Sequence, residues 1–341
     1  MREYQALGTG GGLYHFRDEI MAGNPSYFFV THADICSSFP LSEMVNFHHQ
    51  HEGTATILAT TVSRDEAQKY GCLVRKDDTS EVLHYVEKPE TFVSASISCG
   101  VYLFNTSIFE NMKNAVDRRR FAPIPGEEED SNFIAPVTPS TPSERVRLEQ
   151  DVLRPLAGTG KLFAYICHPP KDFWMQIKSP SSAIAANRLY LNHIHKDNKP
   201  ILPASNLPME GGEIVQPVWI HPSAVINACT KIGPNVFIGP RTVIGRGVRI
   251  KDSILLDNVE VGNDSVIVQA IIGWDSKIGS WARVEGSPHD GGSDATAKGL
   301  KVPSATILGK DVKVADEIAI RNCIVLPNKE LKNSYHNEIL M

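Results

Sequence analysis

Nowhere in the 341 residues do eighteen apolar residues run together, and the opening Met1-Arg2-Glu3-Tyr4 has no apolar stretch of the signal-peptide kind. Neither a membrane-spanning helix nor secretion is therefore expected. A basic stripe is also missing: 34 Lys and Arg stand against 39 Asp and Glu, for a net charge of −5. That balance argues against nucleic acid or an anionic membrane surface as a partner. The six cysteines (Cys36, Cys72, Cys99, Cys167, Cys229, Cys323) lie far apart, with no CxxC and no histidine at metal spacing. Such spacing reads as reduced thiols, and the expected location is cytoplasmic. What the chain does have is 42% hydrophobic and 21% charged residues, enough apolar mass for a core and enough length for two domains.

The strongest pattern lies in the C-terminal third. Ile220, Ile226, Ile232, Ile238, Ile244 and Ile250 follow one another at a spacing of six, several with Gly directly after, as in Ile232-Gly233 and Ile238-Gly239. Four residues after each aliphatic stands a small or β-branched residue: Ala224, Thr230, Val236, Thr242, Val248. The beat slips after Ile250, resumes through Val261 and Ile267, restarts at Ile272-Gly273 and Ile278-Gly279, and ends with Leu308, Val314 and Ile320. A helix needs apolar spacing of 3 or 4 and an antiparallel strand spacing of 2. Six residues instead make one side of a triangular coil, whose strands stack on the next turn about 4.8 Å away. The expected fold is a left-handed parallel β-helix over 217–341. Residues 286–304 (GSPHDGGSDATAKGLKVPS) interrupt the beat and are expected to loop out of the prism.

Before Ile220 the pattern is mixed. Helices are expected at Leu13–Met21, Leu41–His51, 106–116, 145–157 and 179–195. Strands are expected at Tyr27–Thr31, 55–62, 70–75, 81–86 and 97–104. Alternating strands and helices imply an α/β domain with a largely parallel, doubly wound sheet over 1–195. Such sheets bind ligands at the carboxyl ends of their strands. Residues 118–143 hold Arg118-Arg119-Arg120, an acidic run at 127–130 and five prolines, and 196–216 reads as a linker; neither is expected to fold alone. The run His48-His49-Gln50-His51 reads as a solvated helix face.

Four strings carry a resemblance: LGTGGGL at 7–13, HADICSSFP at 32–40, YVEKP at 85–89 and ISCGVYLF at 97–104. With the hexapeptide repeats they resemble the sugar-1-phosphate nucleotidyltransferases. GGGLYHFRDEI at 10–20, RLEQDVL at 147–153, FWMQIKS at 173–179, IIGWDSKIGSWARVEG at 271–286 and IVLPNKELKNS at 324–334 resemble the GDP-mannose pyrophosphorylases, alpha subunits above all. The resemblance implies that Gly8, Thr9 and Gly10 lie against a nucleotide base, and that Gly71 and Gly100 let a sugar pack on bare backbone. It implies that Glu87 and Lys88 hold sugar hydroxyls and phosphate, with Ser98 where an asparagine usually meets the sugar. It further implies that Asp34 is a magnesium ligand. Each has a plainer reading: a flexible turn for Gly8–Gly10, a helix cap for Asp34, and a strand end punctuated by Pro89 for Glu87-Lys88.

Two departures qualify the resemblance. The family's Gly-rich phosphate loop after a first strand is not matched by GTGGG at 8–12, so the α/β domain is expected to be incomplete at its N-terminus, lacking two or three βα units. Gln176 stands where the family supplies a second metal-binding aspartate, and a neutral amide does not replace that charge. Two functions follow. One is an enzyme making GDP-mannose from GTP and mannose-1-phosphate with Mg2+. The other, favoured, is a regulatory subunit that binds GDP-mannose, a catalytic beta-type paralogue or a second copy of itself. In that reading loop 286–304, through Lys298 and Lys301, reaches the partner, although a surface insertion without a role fits the loop as well. A more distant option is the related fold of translation-factor exchange subunits, which lack sugar contacts of the YVEKP type.

Overall fold

The computed structural model describes residues 6–120, 145–196, 211–287 and 305–341, with two short strands at 296–297 and 300–301. Two compact units divide the chain, Met1–Gln176 and Ile177–Met341. Helix Ser182–Lys196, expected to close the α/β domain at 195, thus belongs to the second unit.

The first unit contains helices α1 (Gly8–His15), α2 (Arg17–Ile20), α3 (Leu41–His49), α4 (Arg64–Ala67) and α5 (Ile108–Arg120). A π-helical segment, Leu148–Leu153, runs into α6 (Arg154–Leu156). The main sheet is built from β1 (Tyr27–Thr31), β3 (Ala55–Thr61), β4 (Gly71–Arg75), β5 (Val82–Glu87), β6 (Ser96–Asn105) and β7 (Leu162–Ile166). Its order is β5-β4-β6-β3-β7, with β1 also against β6. β2 (Ile35–Ser37) pairs separately with β8 (Trp174–Gln176).

The long strand β6 organises this unit. Alternation sends Tyr102 and Phe104 to a cluster with Ile57, Met112, Leu148 and Val152, and sends Cys99, Val101 and Leu103 to another with Met44 and Leu58. Helices therefore cover both faces, as expected, but the sheet is not largely parallel. β6 runs antiparallel to β1, β3 and β4, β4 and β5 form an antiparallel pair, and only β3 and β7 are parallel. The connections from β4 through β5 to β6 are too short for crossover helices, and apolar periodicity carries no strand direction.

Three local expectations also change. The first helix begins at Gly8 rather than Leu13. Gly8 has φ +77°, and a Cβ there would stand 2.6 Å from the Val146 carbonyl oxygen. Gly10 N–H donates to that same oxygen at 2.9 Å. GTGGG is thus a helix start that lets backbone approach backbone, not a turn. Arg118 and Arg119 are helical because both meet Asp151: the Arg119 guanidinium pairs with its carboxylate at 2.7 Å, and Arg118 donates to its carbonyl at 3.3 Å. Arg120 ends the same helix, and 121–143 lie outside the described residues. His48 is only 3% exposed, and it joins His51 in a buried network rather than a solvated face.

The second unit is a parallel β-helix with α7 (Ser182–Lys196) packed on one side. Its three sheets hold seven, six and seven strands. Ile226, Ile232, Ile238, Ile244 and Ile250 point inward and are buried. Core positions of successive coils lie 18 residues apart at first (Ile220 beside Ile238, Ile232 beside Ile250) and 17 in the next coils (Ile238 beside Leu255, Leu255 beside Ile272). The slip after Ile250 is therefore one residue lost at a single corner. Glycines after the isoleucines answer to crowding: a Cβ on Gly273 would collide with the Gly309 backbone of the next coil. Gly233 apart, the left-handed backbone falls instead on residues such as Asn258, Asp264 and Asp275.

Strand Glu213–Ile214 already pairs with Lys231–Ile232, so the coil begins inside the expected linker; 197–210 lie outside the described residues. After Arg283–Glu285 the coil resumes at Thr306–Leu308, which pairs with Ala270–Ile272. Between them Thr296–Ala297 and Leu300–Lys301 pair antiparallel. Lys298 lies outside the described residues. Among the described residues no helix is long and apolar enough to cross a membrane.

Candidate functional site

Strand pairing in the first unit gathers most of the residues singled out in its sequence. Gly71 on β4 faces Glu87 at the end of β5. Lys88 follows with φ 45°, its N–H bound to the Tyr70 carbonyl at 3.1 Å. On β6, Leu58 of β3 stands against three residues, Cys99, Gly100 and Val101, because the register jumps from Ile57–Tyr102 to Ala59–Ser98. Gly100, with φ +71°, makes this bulge possible and accepts a hydrogen bond from His32 N–H at 2.8 Å. A pocket of about 90 Å³ results, and Gly71, Glu87, Lys88, Ser98, Gly100 and Gln176 all line it.

Nine further lining residues were not singled out for the site, and five of them are His32, Tyr85, Tyr102, Glu149 and Trp174. Each of these five sits inside one of the strings quoted above, so the strings marked the site while their individual roles went unread. Glu149 Oε1 accepts from the Tyr102 hydroxyl at 3.3 Å and meets His32 Nε2 at 3.3 Å. Ser98 Oγ donates to the Tyr102 oxygen at 3.4 Å, and the Tyr85 hydroxyl donates to Glu87 Oε2 at 3.1 Å. Trp174 forms a wall, held by its indole N–H on the Cys99 carbonyl at 2.8 Å.

The electrostatics follow from these contacts. The Glu149 hydrogen bond outweighs burial and raises the His32 pKa, with the charges of Glu149, Asp34 and Glu87 adding to it. Burial pushes Glu149 up, but His32, backbone and Tyr102 hydrogen bonds bring it below the ordinary carboxylate range. Burial pushes both Tyr85 and Tyr102 well up, so the phenols remain donors. Carboxylates, phenols and a serine beside an indole can hold a polyol: oxygens meet hydroxyls and the ring meets C–H faces.

The two glycines do not present bare backbone. A Cβ on Gly100 would lie 2.7 Å from His32 Nδ1, and the space in front of Gly71 is taken by the Tyr85 hydroxyl. Gly8 and Gly10 press on Val146, away from this pocket. Thr9 and Asp34 share a neighbouring groove of about 480 Å³ with Leu13, Val30 and Leu148, and His32 lines both spaces.

Asp34 has a specific partner. Its Oδ2 accepts from Gln176 Nε2 at 2.7 Å, across the β2–β8 ladder that sets Ile35 opposite Gln176. With an amide N–H on one of its oxygens, Asp34 offers a single anionic ligand, where the resemblance supplies a pair of carboxylates. Among the described residues no three His, Cys, Asp or Glu side chains gather as a metal site.

Comparison with known proteins gives consistent matches. The nucleotidyl transferase family matches residues 1–127, and the GMPPB C-terminal domain matches 214–340. The chain is 43% identical over 344 residues to a probable mannose-1-phosphate guanyltransferase of Schizosaccharomyces pombe, covering 100% of this chain and 80% of that protein. It is 44% identical over 354 residues to the mannose-1-phosphate guanylyltransferase regulatory subunit alpha-A of Danio rerio, covering 100% and 81%. To the regulatory subunit alpha of Dictyostelium discoideum it is 42% identical over 342 residues, covering 100% and 79%.

Proposed function

Because the chain belongs to the mannose-1-phosphate guanylyltransferase family, we propose that it serves GDP-mannose synthesis as a regulatory subunit, binding GDP-mannose and a catalytic paralogue without turnover of its own. The observation that carries this reading is the Gln176–Asp34 hydrogen bond. Nucleotidyl transferases generally work with a divalent metal such as Mg2+, and here a neutral amide that donates to one Asp34 oxygen stands in place of a second carboxylate. The sugar side of the pocket is better kept. Glu87 and Lys88 stand together, with Lys88 Nζ 3.5 Å from Glu87 Oε1, beside the Tyr85, Tyr102 and Ser98 hydroxyls. A site that keeps its hydroxyl-binding groups and has one metal-binding charge in place of two suits recognition of a nucleotide sugar more than in-line phosphoryl chemistry. The names of the Danio and Dictyostelium relatives agree with this reading, and a cytoplasmic location fits it.

The test uses the purified chain alone. Calorimetric titration with GDP-mannose should show binding whose affinity is unchanged by magnesium and falls on Glu87→Gln. Incubation with GTP, mannose-1-phosphate and magnesium should yield no GDP-mannose above background. A turnover number within the ordinary enzyme range of about 1–10³ per second overturns the proposal in favour of an active transferase.

A further inference from the structure

Most hydroxyl-binding groups of the pocket stand on strands, whose ladders fix them: Tyr85 and Glu87 on β5, Ser98 and Tyr102 on β6. Glu149 instead reaches the pocket from the π-helical segment Leu148–Leu153, which belongs to no sheet. Leu148, Val152 and Leu153 are buried in the core, while the Glu149 side chain is 15% exposed and turned to His32 and Tyr102. Its direction depends on how this short segment is tied down at its start.

A helix start leaves backbone N–H groups without partners, and a side-chain oxygen at the capping position usually accepts one. Arg147 holds that position and has no acceptor to offer. Two other residues serve instead. Thr9 Oγ1, on α1, accepts from Leu148 N–H at 3.0 Å. Asp151 Oδ2 reaches back to Arg147 N–H at 2.8 Å. In an α-helix such a reach-back comes from the third residue inside the helix, and the wider π turn shifts it one residue on, to Asp151. The Asp151 side chain is 16% exposed, and its other oxygen meets the Arg119 guanidinium of α5 at 2.7 Å. Arg118 adds a hydrogen bond to the Asp151 carbonyl. Asp151 thus locks the π turn to α5, and it lies in a separate groove with Asn111 and Asn114 rather than in the pocket.

Resting on the reading of the pocket as a nucleotide-sugar site, we propose that Asp151 is a positioning residue: through Arg119 and the cap on Arg147 it aims the Glu149 carboxylate at the sugar, and so sets the preference for GDP-mannose over GDP. His32 and Tyr102 both meet Glu149 at Oε1. A carboxylate has about four acceptor sites, so capacity remains for a sugar hydroxyl. Without the lock the wide turn relaxes toward ordinary α-helical pairing, and the direction of Glu149 about the helix axis changes with it.

The experiment uses the full chain, with calorimetric titration of GDP-mannose and of GDP, and with tyrosine ζ-carbon resonances read without ligand. Asp151→Ala and Arg119→Ala should weaken GDP-mannose binding about tenfold, as loss of one hydrogen bond to a charged group implies, and leave GDP binding within about twofold. Arg119→Lys, which keeps the ion pair, should bind as the wild type does. Arg119→Ala leaves the Arg147 cap in place, so it reports even where Asp151→Ala fails to fold. In a Glu149→Gln background Asp151→Ala should cost no further affinity, because its effect passes through Glu149. The Tyr102 resonance, assigned with Tyr102→Phe, should move in Arg119→Ala and Asp151→Ala in the direction it moves in Glu149→Gln. Equal losses of GDP and GDP-mannose affinity, additive effects in the double variant, or an unmoved Tyr102 resonance would overturn the inference. A wild-type chain that binds no GDP-mannose overturns the functional reading instead, and the Tyr102 resonance then decides the positioning by itself.

Discussion

Acidification should weaken the first unit through a closed ring of hydrogen bonds. Gly53 N–H donates to His51 Nδ1 at 3.0 Å, which places the His51 proton on Nε2, where it meets Thr56 Oγ1 at 3.0 Å. Asn105 Nδ2 donates to the Gly53 carbonyl at 2.7 Å, so its Oδ1 is the acceptor for His48 Nε2 at 2.9 Å. The Thr56 hydroxyl is then left to donate to His48 Nδ1 at 2.8 Å. Each imidazole is thus neutral, and a proton on either Nδ1 would set donor against donor. Burial lowers both pKa values, His51 to about 4. The sign follows directly. Above pH 6.5 both states are neutral and the ring contributes fully. As pH falls below 6.5 the unfolded chain takes up protons that the folded chain refuses, and stability drops until the folded value is reached. His51 alone, at about 1.36 kcal/mol per unit, should account for about 1–2 kcal/mol between pH 7 and pH 5, after allowance for its half-buried ring. Hydrogen exchange of peptides spanning 41–61, in wild type and His51→Gln, reads this locally. The wild type should lose more protection on acidification than the variant. Equal losses, or protection that rises in acid, would refute the reasoning.

Ile238 is fully buried between Ile220 and Leu255, so Ile238→Ala should cost about 2–5 kcal/mol. Ile238→Asp should abolish the thermal transition of the β-helix, as followed by circular dichroism. Glu149→Gln removes the main cause of the raised His32 pKa, and a nuclear magnetic resonance titration of the imidazole should show that pKa moving down. No change would mean that Glu149 does not set it. Replacing 287–302 with a short Gly-Ser bridge should leave the neighbouring coils paired while altering how a catalytic paralogue responds to GDP-mannose. An unchanged response would make the loop a surface insertion.

The β-helix was legible because one residue type recurs at one spacing. Ile220 through Ile250 report the prism side directly, and even the slip after Ile250 has a one-residue cause at a corner. The first unit was legible as strings rather than as geometry. Strand positions came close, but Val101 and Tyr102 look the same whether β6 runs parallel or antiparallel. The Gly8–Gly12 run reads as a loop because glycine disfavours helices, yet contact with Val146 overrides that propensity. His48 and His51 read as polar surface because the partners that bury them, Asn105 and Phe163, lie more than fifty residues away. Glu149 stayed unread for the same reason: its partner His32 is 117 residues distant.

The most direct test of a regulatory role is the initial rate of GDP-mannose formation by a catalytic paralogue, measured with and without this chain across a range of GDP-mannose concentrations. The account predicts that the chain changes the rate and its inhibition by product, and that Glu87→Gln removes the product dependence while the two proteins still associate. A catalytic rate identical with and without the chain, in a mixture where the complex forms, would contradict it.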